Sequence, residues 1–353
     1  MDGQSLSEQT SVDNCTFVKT ILMLLVVLYH SILFWSGGWF SAYEPERTIS
    51  SATVIANWLN SFHVHCFVLT SGYLYSFLRF EKGKYQQYRN FIIGKVKRLI
   101  FPYFFVSLIW VIPIGCYFHH YSFIDVVKNY LLGISPNQLW FLLALFLVFA
   151  IVWPLSETIS KNNIKAIGIG VGFLVIGIAG MKVIRINVFC IWTALQYILY
   201  FIIGMILRRL HREGKALTIR WYIKWGMLIA DILLFAVQWK WLSDKTGMLF
   251  RIASLTVGVT IHCLGAITAF IFLQDLARKV KWDRKWLKLL AENSMIIYLF
   301  HQQIVYISIA VFNGSVPPLI HMIINLVLAI VGSILIAKLL RTNRYTRLFV
   351  GEH

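Results

Sequence analysis

Residues 17–36 read FVKTILMLLVVLYHSILFWS, a run of hydrophobic positions in which Lys19 and His30 are the only basic or acidic side chains. A helix needs about 20 predominantly apolar residues to cross the hydrocarbon core of a bilayer, so this run predicts a transmembrane helix. The pattern then recurs. Comparable stretches fall near 53–78, 99–118, 138–157, 166–184, 190–207, 223–239, 252–273, 293–312 and 317–340. The expected fold is all-α: a polytopic integral membrane helix bundle of about ten transmembrane helices. Asp231 makes the seventh span the least apolar of the set. Composition agrees, since hydrophobic residues make up 58% of the 353 positions and charged residues 14%, against roughly 45–50% and a quarter in an average soluble chain.

The basic excess, 33 Lys and Arg against 15 Asp and Glu, would suggest nucleic acid in a soluble protein. Its distribution argues otherwise. Seven basic residues lie in 79–98, two in 158–165, six in 208–224, six in 278–288 and four from Lys338 onward, whereas the opposite connections hold seven. Lysine and arginine accumulate in cytoplasmic loops, so both ends are expected in the cytoplasm, and no nucleic-acid partner is expected. The organisation follows: a short polar segment over 1–16 that lacks the features of a cleaved leader, one membrane domain over 17–340, and a basic cytoplasmic tail over 341–353. The five cysteines show no metal-ligand or disulfide spacing, so no metal is expected.

Chemistry must then come from polar groups among the helices, where an ionisable side chain is costly unless it faces a bundle interior or a watery cavity. In KTILMLLVVLYH, Lys19 and His30 are eleven residues apart, about three helical turns plus 20°, which puts them on one face roughly 16 Å apart along the axis. They could line one channel, or serve as a snorkelling anchor and a hydrogen-bonded interior histidine. In SFHVHCFVLTSGYLYSF, His63, Phe67 and Thr70 share a face while His65 points roughly 200° away from His63; Ser71 and Gly72 read as a small-residue helix contact. KVKRLIFPYF brings Arg98 and Pro102 to a span start, either as an anion partner or as a mark of the cytoplasmic side. NQLWFLLALF places Trp140 at a span start, where an interfacial aromatic belt also accounts for it. ENSMIIYLFHQQIVY aligns Ser294, Tyr298 and His301, while Asp231 and His262 sit in spans without a local pattern.

Together these strings resemble the acyltransferase-3 family of membrane proteins, which includes bacterial O-acetyltransferases of surface polysaccharides, lipopolysaccharide and peptidoglycan. The resemblance rests on a basic residue eleven before His in KTILMLLVVLYH, then FHVHCFVLTSGYL, VKRLIFPY, LWFL and IIYLFH, in the family's order along nearly the whole chain. Two departures are Lys19 in place of the usual Arg and His65 where Pro is common. The first keeps the charge and loses the bidentate fork of a guanidinium. The resemblance implies His30 as catalytic base, Lys19 and Arg98 as ligands of an acyl-CoA donor on the cytoplasmic side, and His63, Trp140, Tyr298 and His301 as pocket residues. It further implies acyl-CoA, acetyl-CoA above all, as co-substrate with no tightly bound cofactor, membrane lipid and a glycan or lipid-linked glycan acceptor as partners, and a bacterial plasma membrane location. The competing expectation is a transporter or flippase of a glycan intermediate with a histidine proton relay; a non-catalytic scaffold is the third.

Overall fold

The computed structural model describes residues 2–37, 39–214, 219–242, 245–280 and 284–352, and these contain helices without strands. Ten helices are of membrane length: α1 Asp2–Leu33, α2 Ser50–Ser76, α3 Tyr88–His119, α4 Trp140–Lys161 and α5 Asn163–Val183, then α6 Ile191–Arg212, α7 Trp221–Leu242, α8 Met248–Lys279, α9 Lys285–Phe312 and α10 Pro318–Leu340. Hydrocarbon offers no partner for backbone N–H and C=O groups, so helices that satisfy their own are what such sequence forms. Nine of the ten are apolar enough to cross by composition. The exception is α2, whose Ser61, His63, His65, Thr70 and Ser71 are all buried in protein, so its polarity faces neighbours and not lipid.

Six helices close a ring in the order α1, α2, α6, α4, α3 and α9, with α9 packing back on α1. Outside it, α5 covers α6 and α4, α8 covers α1 and α2, α10 covers α9 and α1, and α7 packs on α8. The tightest crossing is α2 on α6. A Cβ on Gly72 would stand 2.0 Å from the Phe201 carbonyl oxygen, and one on Gly204 would stand 1.9 Å from that of Leu69. Glycine is what lets these backbones touch. The small-residue contact expected at Ser71 and Gly72 is therefore present at Gly72, while Ser71 lines the central cavity.

Several helices outrun their apolar cores. The sequence places the third span at 99–118, but α3 begins eleven residues earlier, at Tyr88, because a basic amphipathic stretch carries a helix without raising hydropathy. α3 also has two π-helical turns, Val96–Ile100 and Ser107–Val111, each followed closely by a proline, Pro102 and Pro113. Proline lacks an N–H and crowds the preceding turn, and a widened turn accommodates it. The same defect in α4 is repaired from α3: Pro154 frees the Ala150 carbonyl, which accepts the Tyr88 hydroxyl at 3.4 Å. The segment after α10 folds as a short helix, Arg344–Phe349, packed on α3. Arg341 clamps Glu352 at 2.5 Å, and this hydrogen-bonded carboxylate raises the arginine's pKa.

Candidate active site

The ring encloses a cavity of about 800 Å³ walled by α1, α2, α3, α4 and α9. One end carries Lys19, Lys84, Lys95 and Arg98, and the other carries His30, His63, Trp39 and Tyr306. The helical spacing of Lys19 and His30 thus becomes a wall: both side chains line the same space, one at each end.

Cations at the basic end divide into two sets. Arg208 is held by Glu81 at 2.6 Å, Arg79 lies 3.5 Å from Glu157, Lys224 pairs with Asp275, and Arg341 pairs with Glu352. Lys19, Lys84, Lys95 and Arg98 have no carboxylate partner among the described residues. Two of them meet aromatic faces instead: the Lys19 ammonium lies 5.3 Å from the Phe67 ring, and Lys95 lies 3.9 Å from Phe149 and 5.2 Å from Phe91, while Lys84 and Arg98 are exposed. Such contacts stabilise a cation by about 0.5–2 kcal/mol, less than a buried charge requires. The cavity mouth is left with uncompensated positive charge, an arrangement that takes a polyanion.

At the far end, His30 Nδ1 lies 2.9 Å from the Val26 carbonyl oxygen and 3.2 Å from His301 Nε2. A carbonyl only accepts, so Nδ1 carries the proton. His301 is set the same way, since its Nδ1 meets the carbonyls of Tyr298 at 2.8 Å and Ile297 at 3.0 Å, leaving Nε2 to accept from His30. His30 Nε2 therefore keeps its lone pair, and no described residue engages it. His63 is fixed likewise by the Leu59 carbonyl. The rings of Tyr29 and His63 are 5.4 Å apart, and those of His30 and Trp39 5.7 Å.

Of the residues singled out in the sequence, Lys19, His30, His63, Arg98, Trp140 and Tyr298 line the cavity, with Ser294. His301 does not. Its position on α9 lies 60° beyond that of Tyr298 around the helix, so it stands behind His30, with no exposed surface, and supports that ring instead of forming the wall. His65 points away, stacked on His262 with centroids 4.2 Å apart. His262 donates to the Ser61 carbonyl at 2.6 Å, and Asp231 accepts from Trp58 Nε1 at 3.2 Å. These three serve the packing of α7 and α8 on α2. The described residues hold no group of three or more His, Cys, Asp or Glu that could bind a metal.

Other wall residues were not foreseen. In the sequence Lys84 and Lys95 read only as two of the seven basic residues of 79–98, and Tyr85 carries no signal of its own. The amides of Gln138 and Gln303 bond reciprocally at 2.6 and 3.1 Å, and Tyr298 donates its hydroxyl to the Gln138 carbonyl. Three consecutive polar letters, His301, Gln302 and Gln303, in an otherwise apolar span are the available signal, although only Gln302 of the three lines the cavity, His301 and Gln303 standing behind it.

A family model described as an acyltransferase domain matches residues 13–338. The chain belongs to the acyltransferase-3 family. No curated protein and no solved structure matches it significantly. This acyltransferase is a multi-pass membrane protein, and the match spans every helix that walls the cavity.

Proposed function

We propose that this acyltransferase moves an acyl group, acetyl by the family resemblance, from acyl-CoA to a hydroxyl of a carbohydrate or lipid-linked glycan, with His30 as general base. The observation that carries the proposal is the pairing, in one cavity, of four uncompensated cations with a histidine whose Nε2 lone pair is open. Coenzyme A is a polyanion whose reactive sulfur lies far from its charge. About thirteen bonds separate its diphosphate from the sulfur, equivalent to a little over four residues of extended chain, about 15 Å. The rise from Lys19 to His30 is about 16 Å. A donor anchored at the basic mouth would present its thioester beside His30.

The acceptor hydroxyl donates to His30 Nε2 as its oxygen attacks the thioester carbonyl. The proton moves to Nε2, the tetrahedral intermediate collapses with cleavage of the C–S bond, and the imidazolium returns the proton to the leaving thiolate as CoA departs. Ester and thiol are formed with no net proton change. His301 Nε2 accepts the hydrogen bond from His30 Nδ1 throughout, which holds the ring in place with Nε2 toward the cavity. Trp39, Tyr306 and the amide of Gln302 surround the far end of the cavity, and such aromatic and amide groups suit a sugar's C–H faces and hydroxyls.

The basic end is assigned to the cytoplasm, where acyl-CoA is found. The test supplies radiolabelled acetyl-CoA to sealed membrane vesicles of either orientation. Label should enter a glycan or lipid fraction only when the donor reaches the basic face. Label that enters equally from both faces, or glycan movement without acylation, would overturn the proposal, the second outcome in favour of transport.

A further inference from the structure

A second cavity of about 610 Å³ adjoins the basic mouth, and Tyr85, Lys95 and Arg98 belong to the walls of both. Its remaining wall comes from Gln86 and Gln87 and the first two turns of α3, with Asn90, Phe91 and Gly94. None of these is acidic. Asn90 Nδ2 donates to Gln87 Oε1 at 2.6 Å, which leaves Asn90 Oδ1 as an acceptor and a Gln87 N–H as a donor side by side, with no described residue bonded to either. Gln86 is occupied elsewhere, donating to the Arg79 carbonyl at 3.1 Å. A side chain built on Gly94 would meet nothing within 4 Å, so this face of α3 opens onto free space.

We propose that this annex is a subsite for the adenine nucleotide of the donor, read by the amides of Gln87 and Asn90; the inference rests on the acyl-CoA reading above. An adjacent acceptor and donor on planar amides match a purine's amino group and ring nitrogen, the pairing by which Asn and Gln recognise adenine. Lys95 and Arg98, shared by both cavities, meet the phosphates where the ligand turns from one into the other. A phosphate could also come from a lipid headgroup, which would use the cations and leave the amides idle.

The purified protein distinguishes these. Transfer is followed with acetyl-CoA and with S-acetyl-pantetheine, which lacks the nucleotide, in wild type, Asn90→Ala and Gly94→Leu. Asn90 is exposed and Gly94 faces open space, so neither change disturbs packing. Wild type should prefer acetyl-CoA. Both variants should raise its KM about tenfold, the size of one or two net hydrogen bonds, while use of S-acetyl-pantetheine stays unchanged. Equal use of both donors by wild type, or equal losses with both donors in the variants, overturns the annex while the acyl-CoA reading stands. Competition with CoA by phosphatidylglycerol vesicles, in wild type but not in Gly94→Leu, would reassign the annex to lipid. Failure of wild type with either donor removes the acyl-CoA reading itself.

Discussion

His30 shows how much one side chain's setting decides. Its Nδ1 is committed to the Val26 carbonyl and the His301 ring, so the nitrogen that faces the cavity is the unprotonated one. Lys19 can be tested separately from it. We expect Lys19→Met to raise the donor KM by about ten- to a hundredfold, the loss of one charge-assisted contact, with a smaller effect on kcat. Lys19→Arg should retain function, because charge persists and the guanidinium adds a second donor. Steady-state kinetics against acetyl-CoA check both; a Lys19→Met enzyme with wild-type KM would remove Lys19 from the donor site. Spacing alone foretold that Lys19 and His30 share a face and that His63 and His65 do not. Which of the two histidines meets the cavity required knowing where α8 and α1 pack. Lys95 was invisible for a different reason: it is one of seven basic residues in 79–98, and only tertiary packing separates a cation in an aromatic cage from one in solvent.

At the scale of elements, the α2–α6 crossing positions His63 and Phe67, and it depends on two glycines. Adding a methyl group at Gly72 or Gly204 drives it into the opposing backbone, at 2.0 and 1.9 Å. Overpacking of this kind costs about 1–3 kcal/mol or more. Gly72→Ala and Gly204→Ala should therefore lower the thermal unfolding temperature of the detergent-solubilised protein, whereas Gly168→Ala, which meets nothing within 4 Å, should leave it unchanged or raise it through helix propensity. Unaltered unfolding in all three would show that the backbones do not approach this closely. Hydropathy located the apolar centres of the helices well. It misjudged ends such as the start of α3, where Tyr88, Lys95 and Arg98 lie on helix beyond the apolar stretch, and it offered no sign of the π-helical turns. Pro102 and Pro113 mark where a helix must adjust without saying how.

For the whole molecule, nine helices are long and apolar enough to cross a membrane, and a tenth crossing by α2 would put both chain ends and the paired and unpaired cations on one side. In a Cys116→Ser background, which removes the exposed native thiol, cysteines introduced at Glu46, between α1 and α2, and at Lys84, between α2 and α3, report this directly. In intact cells a membrane-impermeant maleimide should label Glu46→Cys, and should label Lys84→Cys only after permeabilisation. Labelling of Lys84→Cys from outside would invert the topology and place the cationic mouth away from the donor. The long apolar helices were legible because hydrocarbon imposes a length on every span. The ring that makes a cavity was not, because interior-facing polarity on α2 and α9 can be written in sequence without showing what it faces. The most direct measurement is release of CoA thiol from acetyl-CoA by the purified protein in lipid, with a surface-glycan extract as acceptor, in wild type and His30→Ala, with CoA binding measured in both. We expect acceptor-dependent release in wild type and a loss of about 10²–10⁴-fold in the variant, the usual contribution of a general base, with CoA binding retained. Wild-type release from a folded His30→Ala protein would contradict the role of His30.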